Sequence, residues 1–147
     1  MNSRHTAAPT TDHWPSFRAA CDSLSTIDQI STIRAGVASK LLVGAAQSLN
    51  VPRERLFEIS GVPATTAKRK IANNEMLDAL VTERLVRIAQ IESRAQEIFG
   101  VDGEAQRWLL APNAALGGLS PLALLDTEPG RQEVTRLLNT LTFGGSA

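Results

Sequence analysis

A long amphipathic segment between residues 76 and 99 constrains the fold of this chain more than any other feature. Its apolar side chains recur at steps of three or four residues, at Leu77, Val81, Leu85, Ile88, Ile91, Ala95 and Ile98. This spacing predicts an α-helix with one face buried against neighbouring elements. Glu83 and Arg87 are expected to pair across one turn of it. Arg84, Arg87 and Arg94 are expected to lie on its solvated surface.

The rest of the chain also has helical patterns. Ile27, Ile30 and Ile33 predict the apolar side of a short helix. Asp102 is expected to cap another short helix, and residues 129–141 fit the amphipathic template. Because no alternating strand pattern occurs in the sequence, the predicted fold class is all-α.

Composition narrows the class of protein further. The 147 residues are 43% hydrophobic and 20% charged with no net charge, which is typical of a soluble globular protein. The sequence has no run of about 18 apolar residues that would predict a membrane span, and its first residues lack the apolar centre of a secretory signal. We therefore expect a cytoplasmic protein with no membrane attachment. The single cysteine, Cys21, has no second cysteine for an internal disulfide, and we expect no functional role for it.

Patterns typical of enzymes are missing from the sequence. Both histidines, His5 and His13, lie near the N-terminus, so the body of the chain lacks the commonest general base and zinc ligand. No phosphate-binding loop, dinucleotide-binding glycine motif or nucleophile elbow occurs. We therefore expect no catalytic residue, no metal site and no cofactor.

Residues 53–72 have the pattern of a helix-turn-helix. Gly61 can adopt the left-handed turn, and Val62 can pin the second helix against the first. The residues expected to contact DNA are Thr65, Thr66, Lys68, Arg69 and Lys70. Hydroxyl groups near a helix N-terminus can hold phosphate, while Lys and Arg side chains reach base edges in the major groove. The alternative is a helical hairpin whose basic face is only solvated.

The charge of the chain is unevenly distributed. Residues 62–72 carry three cations and no acid, whereas residues 101–147 carry five acids and three arginines, a net charge of minus two. Any DNA binding must therefore be restricted to the basic part of the surface, around residues 62–72. Because each chain offers few cations, binding is expected to need a homodimer on a paired site.

The C-terminal half resembles the toxin-binding domain of the Xre/MbcA/ParS antitoxins. The matching stretches are ERLVRI at 83–88, FG at 99–100, RWLLAPN at 107–113, LGG at 116–118 and PLALL at 121–125, followed by Gly130, Val134, Leu138 and Gly144. Antitoxins of this family also carry an Xre-like helix-turn-helix ahead of that domain. The resemblance therefore covers residues 36–144.

The resemblance implies an antitoxin of a type II toxin-antitoxin system. In structure, it implies an Xre-like helix-turn-helix unit followed by a small helical toxin-binding domain. The implied partners are operator DNA and a RES-domain toxin that consumes NAD or transfers ADP-ribose from it. Such an antitoxin blocks the toxin and represses its own operon.

The implied organisation has three parts. A partly mobile N-terminal arm is expected over residues 1–29, a DNA-binding domain over 30–75 and a toxin-binding domain over 76–147. Trp108 is expected to fill the core of the last part. The residues expected to contact the toxin are Asn113, Leu116, Gly117, Gly118, Pro121, Phe143 and Gly144.

Two other classes of function stay open at this point. One is a stand-alone helix-turn-helix transcription regulator whose C-terminal helices dimerise or sense a ligand. The other is a small enzyme, which the missing catalytic patterns disfavour. A neighbouring reading frame for a RES-like enzyme would favour the antitoxin over both.

Overall fold

A computed structural model describes the fold of residues 11–144, and at Phe143 and Gly144 it describes the backbone alone. Its α-helices are α1 Trp14–Ser23, α2 Thr26–Ala35, α3 Leu41–Leu49, α4 Arg53–Ser60, α5 Ala64–Ala72, α6 Ala79–Phe99, α7 Glu104–Leu110 and α8 Glu128–Gly144. Two short 3-10 helices, η1 (Ala114–Leu116) and η2 (Leu122–Asp126), lie between α7 and α8. Within the described range, β-type pairing is limited to one bridge between Ala38 and Met76. The predicted all-α class is confirmed.

Helix α6 runs through the centre of the molecule. The side chain of Asp78 caps it by accepting a hydrogen bond from the backbone N–H of Val81 at 2.9 Å. Helices α1, α2, α7 and α8 all pack against it. Because it is covered on several sides, the polar residues Thr82, Arg87 and Glu92 are buried along with its predicted apolar face. The sequence pattern therefore underestimated how much of this helix is enclosed.

Helix α1 packs the side chains of Trp14 and Phe17 into the core, where their ring centroids are 5.5 Å apart. The indole Nε1 of Trp14 donates a hydrogen bond of 2.8 Å to Oε1 of Glu92. The hydroxyl of Ser48 and the guanidinium of Arg18 bind the same carboxylate, at 2.5 and 3.3 Å. A buried charge is costly unless it is paired, and these partners offset that cost. Glu92 thus joins α1 and α3 to the central helix.

Helix α2 differs from the sequence prediction. Ile33 packs against the core, but Ile27 is 70% exposed and Ile30 is 39% exposed. The predicted apolar side is therefore wrong at two of its three positions. The reason is that α2 turns Thr32, its one fully buried residue, toward the core instead.

The elements after α6 extend the same core. Helix α7 begins after Gly103, whose left-handed backbone occupies the N-cap position without a side-chain cap. The predicted cap by Asp102 is therefore wrong. The buried apolar residues of this region are Ala105, Leu109, Leu122, Leu125, Val134 and Leu138. They belong to one cluster with the buried residues of α1, α3, α4 and α6.

Candidate functional site

Helices α4 and α5 form the predicted helix-turn-helix. Gly61 lies between them with a φ of +77°. The backbone N–H of Val62 donates to the carbonyl of Phe57 at 3.0 Å, and its side chain is buried. Arg84 of α6 lies over the turn and donates to the carbonyl of Ser60 at 3.4 Å. The positive φ favours glycine at this position, and a Cβ there would require the flexible end of the Arg84 side chain to shift.

The residues predicted to contact DNA share helix α5, at positions Thr65, Thr66, Lys68, Arg69 and Lys70. Thr65, Lys68 and Arg69 are exposed, while Thr66 and Lys70 are half-buried. Ala67 is turned inward and is fully buried. The fold therefore brings the predicted residues together on one helix, and their contact with DNA stays a prediction.

The cations of α5 have partners within the chain. Nζ of Lys68 lies 3.9 Å from Oε2 of Glu54 on α4, and Nη1 of Arg69 lies 3.2 Å from Oε1 of Glu75. Lys70 donates to a backbone carbonyl beyond the helix at 3.0 Å. Exposed pairs of this kind are weak, so phosphate can compete for them. The sequence did not reveal these partners because they lie outside the helix.

Two further cations, which were not among the predicted DNA-contacting residues, lie beside the helix-turn-helix. Lys40 precedes α3 and Arg53 begins α4, and both are exposed. They line a groove of about 690 Å³ that also reaches Ile71 of α5. Arg53 could have been recognised as the first residue of the motif's first helix, whereas Lys40 approaches the motif only in three dimensions.

The loop from Asn113 to Leu119 contains several residues predicted to bind a toxin. The backbone N–H of Asn113 donates to the carbonyl of Leu119 at 3.1 Å. The backbone carbonyl of Asn113 accepts from the N–H of Gly118 at 2.9 Å. The side-chain Oδ1 of Asn113 accepts from the N–H of Ala115 at 3.0 Å. Gly117 and Gly118 are exposed at the end of η1. These bonds fix the shape of the loop within the free chain.

The other residues predicted for this surface differ in accessibility. Leu116 packs partly against the core, and Pro121 is buried, so its ring has no free surface for a partner. Leu119, which was not among the predicted contact residues, is 53% exposed beside the glycine pair. The backbone of α8 reaches Gly144, but the surroundings of Phe143 and Gly144, both predicted to contact the toxin, lie outside what the structure describes.

A buried arginine connects the central helix to η2 and α8, the elements that follow this loop in the chain. Arg87 is 5% exposed, and its Nη1 donates to the carbonyl of Leu125 in η2 at 2.9 Å. Its Nη2 lies 2.7 Å from Oε2 of Glu83 and 3.8 Å from Oε1 of Glu128. The predicted pair of Glu83 and Arg87 is confirmed. The expectation that Arg87 is solvated is wrong, because η2 covers it, whereas Arg94 stays partly exposed.

Glu128 continues this charge network at the start of α8. A side-chain hydrogen bond from Arg131 holds the pKa of Glu128 below its usual range, and the same bond raises the pKa of Arg131. Glu128 is therefore ionised at neutral pH, and a carboxylate in the first turn of a helix is favourable.

Among residues 11–144, no group of three His, Cys, Asp or Glu side chains is placed to hold a metal ion. None of the helices in that range has both the length and the apolar character needed to cross a bilayer.

These features define an all-helical protein in which a helix-turn-helix precedes a small C-terminal helical unit. Residues 28–90 match the antitoxin Xre-like helix-turn-helix domain. Residues 94–144 match the antitoxin Xre/MbcA/ParS C-terminal toxin-binding domain. The chain belongs to the Xre/MbcA/ParS family of antitoxins.

Curated relatives carry corresponding names. The chain is 30% identical over 132 residues to the Prs ADP-ribosylating antitoxin of a Sphingobium species, a match that covers 84% of this chain and 83% of the relative. It is 34% identical over 83 residues to the antitoxin Xre of Pseudomonas putida, covering 56% of this chain and 52% of the relative. It is 27% identical over 116 residues to the antitoxin Xre of Yersinia enterocolitica, covering 78% of each.

Proposed function

We propose that this chain binds and blocks a RES-domain toxin that consumes NAD or transfers ADP-ribose from it. The observation that carries the proposal is the match of residues 94–144 to a toxin-binding domain. The Sphingobium relative is named a Prs ADP-ribosylating antitoxin, which supports a toxin with ADP-ribose chemistry. The chain itself acts by binding, without catalysing a reaction, in the cytoplasm.

The loop from Asn113 to Leu119 is the best candidate for the toxin contact. Its internal hydrogen bonds mean that little conformational entropy is lost when a partner binds. Leu119 presents an exposed apolar side chain next to the bare backbone of Gly117 and Gly118. A rigid backbone that carries an accessible apolar group suits the centre of a protein interface.

We further propose that the chain represses its own operon as a homodimer on a paired site, with α5 as the DNA-contacting helix. The match of residues 28–90 to an Xre-like helix-turn-helix supports this role, as does the outward position of Thr65, Lys68 and Arg69. Two chains are needed because one helix carries too few cations for tight binding alone.

The toxin contact is tested by neutralisation in cells. The RES-domain toxin that the proposal requires as partner is co-expressed with wild-type chain, with Leu119→Asp or with Leu80→Asp. Leu80 is also an exposed leucine, 69% accessible, but it lies at the start of α6. We expect Leu119→Asp to lose protection and Leu80→Asp to retain it. Equal protection by both variants would remove the loop from the proposed interface.

The DNA contact is tested by measuring binding to the operon's own promoter. Arg69→Ala should weaken operator binding by about 1–3 kcal/mol if the side chain reads a base. The Lys68→Ala, Arg69→Ala double variant should weaken it further. Arg107→Ala is the control, because Arg107 is an exposed arginine of α7. An unchanged affinity in the double variant would show that α5 is not the DNA-contacting helix.

The alternative function is a stand-alone helix-turn-helix regulator whose C-terminal unit only dimerises. It shares the DNA-binding proposal and differs at residues 94–144. Co-purification of the chain with the RES-domain toxin that the proposal requires separates the two, since only an antitoxin retains that toxin.

A further inference from the structure

A groove of about 690 Å³ lies between α1, α3, α4 and α5. The start of α1 forms one wall, and Val43, Gly44 and Gln47 of α3 form another. Arg53 at the start of α4 and Ile71 near the end of α5 complete it. Neither family match explains this groove, and the residues predicted from the sequence to contact DNA do not line it.

The groove has a positive electrostatic character. Lys40 and Arg53 are exposed along it, and no carboxylate of residues 11–144 forms an ion pair with either. Asp12 is the one acid among its described lining residues. Lys68 and Arg69 on α5, by contrast, each face a carboxylate. Lys40 and Arg53 are therefore freer to bind an external anion than Lys68 and Arg69 are.

The groove continues toward the outer side of α5. Arg53 and Ile71 also line a neighbouring depression of about 360 Å³, whose other lining residues include Glu54 and Lys68. The positive surface is therefore extended, leading from Lys40 past Arg53 to Lys68. An extended line of cations complements a chain of phosphates better than it complements one compact anion.

We propose that Lys40 and Arg53 bind the sugar-phosphate backbone of the DNA that α5 contacts. The inference rests on the proposed DNA-binding function and adds a second part to that interface. Phosphate contacts fix the position of a protein on the duplex but carry no sequence information. The groove therefore contributes affinity for any duplex, while α5 contributes the preference for the operator.

The test compares Lys40→Gln, Arg53→Gln and the double variant with Arg136→Gln. Arg136 is an exposed arginine on α8 that does not line the groove, so its variant controls for the loss of one positive charge. Binding to the operator and to a scrambled duplex of equal length is measured over a range of salt concentrations. Thermal unfolding of each variant verifies that it remains folded.

We expect each single groove variant to weaken binding to both duplexes by a similar factor, about tenfold for the removal of one charge-assisted hydrogen bond. The slope of log affinity against log salt should become shallower by about 0.9 for each phosphate that the variant no longer neutralises. Arg136→Gln should behave as the wild type.

The Asp12→Asn variant should change DNA affinity in the opposite direction. This substitution removes the acid from the groove, so both duplexes should bind more tightly. A folding defect cannot produce tighter binding, which makes this variant independent of the stability of the others. Binding that is unchanged or weaker in Asp12→Asn would contradict a phosphate contact at this place.

The outcomes separate this inference from the proposed function. If the wild type binds its operator and the groove variants match it in affinity and salt slope, the groove contact is overturned while repression stands. If the wild type binds neither duplex, both proposals fail. If the variants lose only the preference for the operator, the groove reads bases and the phosphate assignment is wrong. Binding of inorganic phosphate to the same variants is measured as well. If the groove variants lose phosphate binding while their DNA affinity is unchanged, the groove is a site for a free anion and the contact with the DNA backbone is overturned.

Discussion

The guanidinium of Arg87 donates a hydrogen bond of 2.9 Å to the backbone carbonyl of Leu125, although 38 residues separate them. This bond attaches η2 to the central helix α6. Because the same guanidinium also binds Glu83 and approaches Glu128, one buried side chain holds three elements of the C-terminal unit together. The loop from Asn113 to Leu119 is joined to η2 by Ser120 and Pro121, so its position depends on this attachment.

Arg87→Leu should lower the free energy of unfolding by about 1–3 kcal/mol, because it leaves the buried carbonyl of Leu125 without a donor. The two carboxylates add less, since both are partly exposed and can be solvated. Urea denaturation measures the change. Arg107→Leu, at an exposed arginine paired with Glu104 on its own helix, should cost less than about 0.5 kcal/mol. Equal stability of the two variants would show that the bond to Leu125 does not hold η2.

Gly130→Ala should destabilise the chain although alanine favours helices. A Cβ at Gly130 in α8 would clash with the backbone carbonyl of Leu124, which cannot move as freely as a side chain. The expected net cost is about 1–3 kcal/mol from overpacking. Thr135→Ala in the same helix should be stabilising by a few tenths of a kcal/mol through helix propensity. Thermal unfolding of both variants decides this, and a Gly130→Ala protein as stable as Thr135→Ala would refute the close approach of α8 to η2.

Trp108→Ala should lower stability by about 2–3 kcal/mol, less than for a fully enclosed tryptophan. Trp108 is half-buried, and its ring centroid lies 5.3 Å from that of Phe99 at an angle of 31°. Trp108→Phe retains an aromatic contact and should recover most of the loss. Calorimetry and toxin binding are measured together. A Trp108→Ala protein with full stability and no toxin binding would make this residue an interface anchor instead.

Cys21 should be inert in the folded chain. Its side chain is 2% exposed, and burial raises the pKa of the thiol to about 12. At pH 8 only about one thiol in ten thousand is ionised, and the thiolate is the reactive form. An alkylating reagent at pH 8 should therefore label the chain only when urea unfolds it. Rapid labelling without urea would mean that α1 detaches from the core.

The helices could be predicted from the sequence because their apolar positions lie close together along the chain. Val134 and Leu138, predicted as part of the stripe of α8, are fully buried. Arg87 and Glu92 were not predicted as buried, because their partners lie far away in the sequence. The apolar pattern alone does not show that a charged residue will find compensating contacts.

The same distinction applies to the functional surfaces. The helix-turn-helix was recognisable because Gly61 and Val62 act locally at the turn. The groove cations were missed because Lys40 and Arg53, beyond opposite ends of α3, come to line one groove only through the packing of the helices. Leu119 was missed because an isolated leucine in a loop has no periodic neighbour to show whether it is buried.

The central claim is that this chain binds a RES-domain toxin and stops its reaction with NAD. The most direct measurement is NAD consumption by a purified RES-domain toxin, the partner that the proposal requires, as this chain is added. We expect NAD consumption to fall to the background rate once the chain saturates the toxin, with both proteins eluting together in size-exclusion chromatography. Undiminished NAD consumption in the presence of excess folded chain, with the two proteins eluting separately, would contradict the account.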